Sequence, residues 1–221
     1  ILPAVLSGGI LLLPNWGYAL PQGGQVVAGT GSIGTPGGDQ MNITGSGNVA
    51  IDWNSFNVAQ GESDKFSGMQ AVLNYVTGNT KSEIFGNISG SGVHVFLVNP
   101  NGILFGATAS VNVGELTAST RTIDNRKSFD GTAFSTLSPE AAQKVRGDII
   151  NLGELTADKI LLEGDNISLL NAHMLKSSGN GNITLRADNK VTVGYEVTDK
   201  TTINVGDDAP GGHTVSDYTT G

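Results

Sequence analysis

The sequence of 221 residues contains no cysteine, which excludes disulfide bonds and thiolate metal sites. It has no surplus of basic residues either. The net charge is −8 at pH 7, whereas a protein that binds nucleic acid needs a basic stripe to neutralise phosphates. The same acidity disfavours adsorption to anionic membrane surfaces. Beyond residue 19 no apolar run approaches the length of a transmembrane helix. We therefore expect neither a nucleic-acid-binding protein nor a helical membrane protein.

Aromatic residues and helix-forming stretches are also scarce. Aromatic residues make up 6% of the chain and charged residues 14%, while glycine occurs 32 times and Asn, Ser and Thr are abundant. Short runs in which apolar and polar residues alternate, such as 182–187 and 190–193, are separated by turn-forming residues. This pattern predicts an all-β fold with many short strands, and the length fits a single domain.

The acidic and histidine residues show no catalytic or metal-binding pattern. Asp207 and Asp208 are adjacent, so their side chains would point to opposite faces of a strand. The three histidines lack the spacing of a metal site; they are His94, His173 and His213. We expect no catalytic residue, no cofactor, no metal and no enzymatic activity.

A tight turn is predicted near the middle of the chain. Two apolar runs, 93–98 and 103–106, flank Asn-Pro-Asn-Gly at 99–102. Pro100 has the φ that the second position of a type I turn requires. The first asparagine can bond the backbone of the turn, and Gly102 suits the fourth position. We therefore expect a strand, a tight turn and a second strand.

Four segments resemble one family when they are taken in order: 50–58 (AIDWNSFNV), 72–79 (VLNYVTGN), 95–106 (VFLVNPNGILFG) and 114–120 (GELTAST). Together they are similar to the amino-terminal secretion domain of two-partner-secretion (TPS) exoproteins. This family includes filamentous haemagglutinin and the high-molecular-weight adhesins. The resemblance covers about residues 22 to 195. The chain lacks a second motif, Asn-Pro-Asn-Leu, and has Tyr75 where many relatives have Arg, so the adhesin-like branch is the better comparison.

The resemblance implies a right-handed parallel β-helix with side hairpins. It also implies a function: recognition in the periplasm by the POTRA domains of an outer-membrane TPS transporter, and nucleation of β-helix folding during export. The protein would be secreted or displayed on the bacterial surface, and we expect a monomer. The residues implied in recognition or folding are Asn74, Asn99, Pro100, Asn101, Gly102 and Ile103.

A second functional class stays open, namely an adhesin segment that binds a carbohydrate or a receptor in its own right. Its tryptophans and tyrosines are few and dispersed, which disfavours a sugar-binding platform. A host receptor or glycan would instead be bound through a part of the protein on the carboxyl side of this sequence.

Two internal repeats are consistent with a solenoid. Residues 42–47 recur as 87–92, and residues 111–118 recur as 150–157. The second spacing predicts turns of about 20 residues, and hence about eight to ten turns in a column about 40–50 Å long. Asparagines at repeat positions are expected to stack as ladders; they are Asn42, Asn87, Asn112, Asn151 and Asn182.

The boundaries follow from local signals. Residues 1–19 are typical of the end of a signal peptide cleaved after Ala19, and the alternative is an apolar edge strand. The resemblance implies that residues 20–221 form the secretion domain. Positive charge concentrates in 121–147, which we call the excursion because it interrupts the strand pattern. Within it, Ser138 and Pro139 are suited to the start of a short helix over 138–145.

Overall fold

The computed structural model describes residues 19–132, 147–170, 175–177, 182–194 and 203–206. Within these ranges thirteen strands form one connected sheet, together with a 3₁₀ turn at Arg126–Ser128. No helix of the described ranges has the length and hydropathy of a membrane span. The strands are β1 (Gln25–Ile33), β2 (Gln40–Trp53), β3 (Ser63–Val76), β4 (Ser82–Ile84), β5 (Asn87–Val98), β6 (Ile103–Phe105), β7 (Ser110–Ser119), β8 (Ile149–Asn151), β9 (Glu154–Ala157), β10 (Lys159–Leu169), β11 (Leu175–Ser177), β12 (Ile183–Val193) and β13 (Ile203–Gly206).

The strands wind as a parallel solenoid. β1 pairs with β2 in the antiparallel sense, and every later pairing between named strands is parallel. The main ladder runs β2, β3, β5, β7, β10, β12, β13, which makes about six turns. The expected all-β, right-handed parallel β-helix is thus confirmed.

The predicted turn length was too short. Gln40 pairs with Ser63, and Ser63 pairs with Asn87, so these turns take 23 and 24 residues instead of about 20. The described residues consequently form fewer turns than the eight to ten expected. A turn has three sides and three corners, and the corners use residues that a strand-only estimate omits.

Glycines bend the long strands so that each one contributes to two sides of the column. Gly47 in β2 and Gly68 in β3 have φ of 61° and 80°, which L-residues with side chains rarely adopt. A Cβ atom at Gly68 would also lie 2.6 Å from the carbonyl oxygen of Gly45 in the turn below. The register of neighbouring strands shifts at the same bends.

Three stacks of strands result, which we call the first, second and third faces. The first face contains the amino-terminal halves of β2, β3, β5 and β7, followed by β9 and β11. The second face contains the carboxyl-terminal halves of the same four strands, followed by the starts of β10 and β12 and by β13. The third face contains β4, β6, β8 and the ends of β10 and β12.

The interior is a set of stacked apolar side chains. Val49, Val72 and Val95 lie in register on three successive turns, and all three are buried. Leu116 and Ile160 continue the same stack. Burying a side chain of this size contributes about 1.5–3 kcal/mol, so repetition over several turns provides most of the stabilisation.

The repeat at 111–118 and 150–157 does not correspond to stacked positions. Val111 pairs with Leu155, not with Ile150, and the two copies lie one turn apart. Gly114 lies at the bend between β7 halves, whereas Gly153 precedes β9 at another corner. The expectation of two short turns was therefore wrong. The excursion adds residues to this single turn, so its length is similar to that expected for two short turns.

The expected asparagine ladder does not form at four of its five predicted positions. Asn42 pairs with Lys65, and Asn112 pairs with Ser89 and Thr156, so these asparagines do not stack on one another. Asn87 and Asn151 likewise stack on residues of other types; their partners are Ser63, Ser110, Phe105 and Leu169.

A short ladder of polar side chains runs along a different line. The Nδ2 of Asn189 donates to the Oδ1 of Asn166 at 2.8 Å, and the Nδ2 of Asn166 donates to the Oδ1 of Asp148 at 2.8 Å. None of these residues was among the predicted asparagines, because the tertiary register selects which side chains stack.

Several predicted segments fall outside the described ranges. These are residues 1–18 of the expected signal peptide, the short helix over 138–145 and most of the tail after residue 194. Ala19 and Leu20 are described: the Ala19 amide donates to the Oε1 of Glu62 at 2.8 Å, and the Leu20 side chain is buried.

Candidate functional site: a corner turn and the segment packed beside it

The segment Asn99–Gly102 forms a tight turn at the corner between the second and third faces. It connects β5 to β6, and the Gly102 amide donates to the Asn99 carbonyl at 3.0 Å. Gly102 has φ of 110°, a value that favours glycine, and a Cβ atom there would lie 3.1 Å from the Asp148 carbonyl oxygen. The backbone conformation therefore favours glycine, and the next turn of the helix leaves little room for a Cβ atom.

Asn99 is the centre of this corner, and its side chain is completely buried. Its Nδ2 donates to the Thr80 carbonyl at 2.9 Å and to the Ser82 hydroxyl at 3.0 Å, both on the preceding turn. Its Oδ1 accepts the Asn101 amide at 2.9 Å. Its own amide donates to the Ser119 carbonyl on the following turn. Asn99 thus joins three successive turns of the helix.

Asn101 and Pro100 present the outer surface of the turn. The Asn101 side chain is exposed, and its Nδ2 donates to the Gly78 carbonyl at 2.9 Å and to the Asn99 Oδ1 at 2.9 Å. Pro100 is partly exposed. An open groove runs beside them and is lined by Asn79, Lys81, Pro100, Asn101 and Thr122.

The other predicted residues are enclosed. Ile103 begins β6 and is buried between Ser82 and Ile149 of the neighbouring turns. Asn74 lies in β3, where it accepts the Trp53 Nε1–H at 3.1 Å and donates to the Phe96 carbonyl at 3.2 Å. Its register partner is Leu97, so it lies inside the column and apart from the turn. In the folded protein, only Pro100 and Asn101 among the six offer side-chain surface to a partner.

The excursion covers an apolar cluster on the outer side of the second face, which sequence reasoning did not find. We call this cluster the outer patch; its buried members are Ala50, Ala71, Leu73, Tyr75, Phe96, Val98, Ile123 and Phe129. The Phe129 ring contacts the Phe96 ring edge to face, with centroids 5.2 Å apart. The Asn48 Nδ2 donates to the Asp130 carbonyl at 2.6 Å.

Arg126 fixes the excursion to the first turns. Its Nε and Nη2 donate to the two carboxylate oxygens of Asp52 at 2.6 and 3.1 Å. Its guanidinium carbon lies 4.3 Å from the centre of the Tyr75 ring. Such a bidentate pair stacked on an aromatic ring is geometrically specific. The only signal in the sequence was the unusual Tyr75, and its partner lies 51 positions further along the chain.

The His94 side chain is largely enclosed on this surface. Its ring stacks on Phe96 with centroids 3.9 Å apart, and its Nε2 lies 2.9 Å from the Thr117 hydroxyl. Burial lowers the pKa of His94 to about 4; the Glu115 carboxylate opposes this change and the Lys159 ammonium adds to it. His94 is therefore neutral at pH 7.

A buried ion-pair cluster holds the start of the excursion. The Glu163 carboxylate is buried and accepts hydrogen bonds from Arg121 Nε at 3.1 Å, Arg186 Nη1 at 3.2 Å and the Ser119 hydroxyl at 3.1 Å. Each of its contacts provides a donor, as a buried carboxylate requires. Across the described ranges, no three His, Asp or Glu side chains are grouped so that they could hold a metal ion.

Comparison with known proteins decides the family. Residues 19–215 match the model of the TPS secretion domain. This chain belongs to the TPS secretion domain family. The TPS domain is 30% identical over 173 residues to a heme/hemopexin-binding protein of Haemophilus influenzae (strain ATCC 51907 / DSM 11121 / KW20 / Rd). A second heme/hemopexin-binding protein of Haemophilus influenzae is 35% identical over 108 residues.

The matched regions are only a part of those relatives. They cover 75% and 47% of this chain but 19% and 12% of the relatives. The crystal structure of the HMW1 secretion domain from Haemophilus influenzae resembles the TPS domain with a TM-score of 0.56 and 24% identity. The match covers 84% of this chain and 62% of that one. At this identity the likeness establishes the shared fold.

Membership of the family establishes the general role of the chain. TPS exoproteins are exported across the outer membrane, and their TPS domains are recognised by a partner transporter in that membrane. The family consists of secretion domains of exoproteins and is not a known enzyme family.

Proposed function

We propose that this TPS domain is bound in the periplasm by the POTRA domains of its transporter and starts β-helix folding after export. The observation that carries the proposal is the Asn99–Gly102 turn. It lies within the region that matches the family, and Asn99 joins three turns of the helix through its buried side chain and its backbone amide. A segment with such connections is suited to fixing the first turns in register.

Recognition and folding would use the same residues at different times. In the unfolded chain, Asn99–Ile103 and Asn74 are all accessible, and the flanking apolar strands can add to a sheet edge of a POTRA domain. In the folded domain, Asn99, Ile103 and Asn74 are enclosed. The transporter would therefore bind the motif before the chain folds. Folding outside the cell would then enclose these residues.

The topology supports growth in one direction. β1 covers the first edge of the ladder by antiparallel pairing with β2. Each later strand pairs with the strand one turn earlier, so a completed turn provides the template for the next. A chain that folds in this way as it emerges opposes its own return through the transporter.

Other properties follow as part of the proposal. The protein would pass through the periplasm to the medium or the cell surface, and the TPS domain would be a monomer. Binding of a host receptor or glycan would belong to the remainder of the exoprotein. The adhesin alternative is not favoured, because Trp53 and Tyr75 are buried and do not form a surface platform.

The proposal is tested with Asn101→Lys in the full exoprotein, with Asn79→Lys as the matched control. Both asparagines are exposed at the same corner, one helix turn apart, and both border the same groove. Asn101→Lys should reduce the secreted fraction severalfold and weaken binding of the urea-unfolded chain to the purified POTRA domains. Asn79→Lys should leave both near the parent level.

Loss of the two Asn101 side-chain hydrogen bonds should cost roughly 1–2 kcal/mol of stability. The melting temperature of each variant is therefore measured beside its export. Deletion of the whole TPS domain should abolish export. Normal export without the domain would overturn the proposed function.

A further inference from the structure

Asp64 lies in β3 with its carboxyl group inside the solenoid. It is completely buried, and its register partners are Met41 on the turn below and Ile88 on the turn above, both buried. Neither carboxyl oxygen has a hydrogen-bond partner among the residues that the structure describes. A polar group in such surroundings opposes folding unless a partner compensates for the lost hydration.

The other buried carboxylates of the described ranges have partners. Glu163 accepts hydrogen bonds from Arg121 and Arg186. Glu62 accepts the amides of Ala19 and Ala59, each at 2.8 Å. Asp64 differs because its stack neighbours are apolar and the charge that acts on it is the negative charge of Glu62. Burial first, and Glu62 second, raise the pKa of Asp64 well above 3.8.

We propose that Asp64 is a brake on folding at neutral pH, which keeps the first turns of the TPS domain unfolded until the chain has crossed the outer membrane. The inference rests on the proposed function. It adds a residue that opposes premature folding, whereas the corner turn promotes folding.

The position of Asp64 explains how a brake can delay folding without preventing it. β3 joins β2 to β5, so the ladder cannot extend until Asp64 has entered the interior. The unfolded chain carries an ionised Asp64 at pH 7, and folding must either bind a proton or bury the charge. Each later turn adds apolar burial, so the cost is felt mainly when few turns have formed.

The direction of the pH dependence follows from the raised pKa. Below 3.8 the carboxyl is protonated in both states, and its ionisation costs nothing. As the pH rises above that value, only the unfolded chain ionises. The ratio of folded to unfolded molecules then falls by up to tenfold per pH unit, until the pKa of the folded state is reached.

The test compares Asp64→Asn and Asp64→Val with the control Asp39→Asn. Asp64→Asn keeps the shape and removes the charge, while Asp64→Val removes the polar group as well. Asp39 is an exposed carboxylate just before β2, so its replacement changes the net charge equally. Equilibrium unfolding of the chain is measured from pH 4 to pH 8, and export is measured for the full exoprotein with its transporter.

At pH 7 both Asp64 variants should raise the ratio of folded to unfolded molecules at least tenfold over the parent, and this gain should shrink toward pH 4. Their secreted fraction should fall severalfold, with protease-resistant TPS domain retained in the periplasm. Asp39→Asn should match the parent in both assays. If Asp64→Val fails to fold because valine is too large, Asp64→Asn decides the outcome.

Two results would overturn the brake: no gain in stability for Asp64→Asn at pH 7, or a gain in stability with export at the parent level. Both leave the proposed function intact as long as deletion of the TPS domain abolishes export. Export that persists after the deletion would instead remove the proposed function, on which the brake depends.

Discussion

Two connections leave the second face for the third face on successive turns, and they are stabilised in different ways. The first is the four-residue turn at 99–102, and the next is the excursion at 121–147. The short turn is held by side-chain amides that reach only the preceding turn of the helix. The described part of the excursion reaches back to β2 through Asp52 and Asn48, across 74 and 82 residues of sequence.

The difference shows that a corner of a β-helix can accept either a short or a long connection. Closing a longer loop costs only slightly more entropy, because the cost grows with the logarithm of its length. Each ordered residue still loses conformational freedom, so the excursion requires contacts of its own. Ile123 and Phe129 provide them by burial in the outer patch. The short turn instead depends on one buried asparagine.

The largest difference between the two connections should appear when an asparagine is removed from each. Asn99→Ala removes the partner of the Thr80 carbonyl, the Ser82 hydroxyl and the Asn101 amide. We expect a loss of about 2–3 kcal/mol, because the buried Ser82 hydroxyl and two partly buried backbone groups are left without partners. Asn125→Ala in the excursion removes an exposed bond to Ser128 and should cost less than about 0.5 kcal/mol. Chemical denaturation of both variants checks this, and equal losses would contradict the central role of Asn99.

The second prediction concerns the excursion and the order of folding. Phe129→Ala should cost about 2–3 kcal/mol, somewhat less than a residue of the interior, since the outer patch lies at the surface. Its contacts join distant parts of the sequence, so we expect faster unfolding with an unchanged folding rate. Asn99→Ala should instead slow folding. Stopped-flow kinetics separates the two, with the exposed Phe85→Ala as control. Slower folding of Phe129→Ala would show that the excursion acts early.

A smaller stability effect is expected from Pro100→Ala. The substitution should cost only about 0.4–1 kcal/mol, mainly by increasing the freedom of the unfolded chain. If the transporter reads the turn, export should nevertheless fall severalfold. Pro36→Ala in the exposed connection between β1 and β2 is the matched control and should be exported normally. Parent-level export of Pro100→Ala would confine the role of Pro100 to architecture.

The smallest effect at neutral pH is expected at His94. Its pKa of about 4 lies below the ordinary 6.5 because burial disfavours the charged ring. The contribution of His94 to native-state stability therefore falls as the pH drops from about 6.5 toward 4 and does not change near pH 7. This contribution is opposite in sign to that of Asp64 over the same range. Phe129→Ala loosens the cover over Phe96 and should raise the pKa of His94 toward its ordinary value. Titration of the His94 ring protons by NMR measures this. An unchanged pKa would mean that the strands alone exclude the water.

Two features of this protein were determined by the sequence itself. Alternating apolar and polar residues produce strands, since successive side chains point to opposite faces. Asn99–Gly102 forms a turn because proline and glycine restrict or permit particular φ values. Both effects act within a few residues, so they could be derived without knowledge of the rest of the chain. The resemblance to a family supplied the parallel β-helix and pointed to the residues of the corner.

The tertiary structure alone decided the register, and with it the roles of individual side chains. Val111 stacks on Leu155 instead of Ile150, Asp64 enters the interior, and Arg126 pairs with Asp52. These outcomes depend on where every corner falls and on how many residues each turn uses. Register is selected by the summed burial of all turns, so it cannot be derived from any short segment of the sequence.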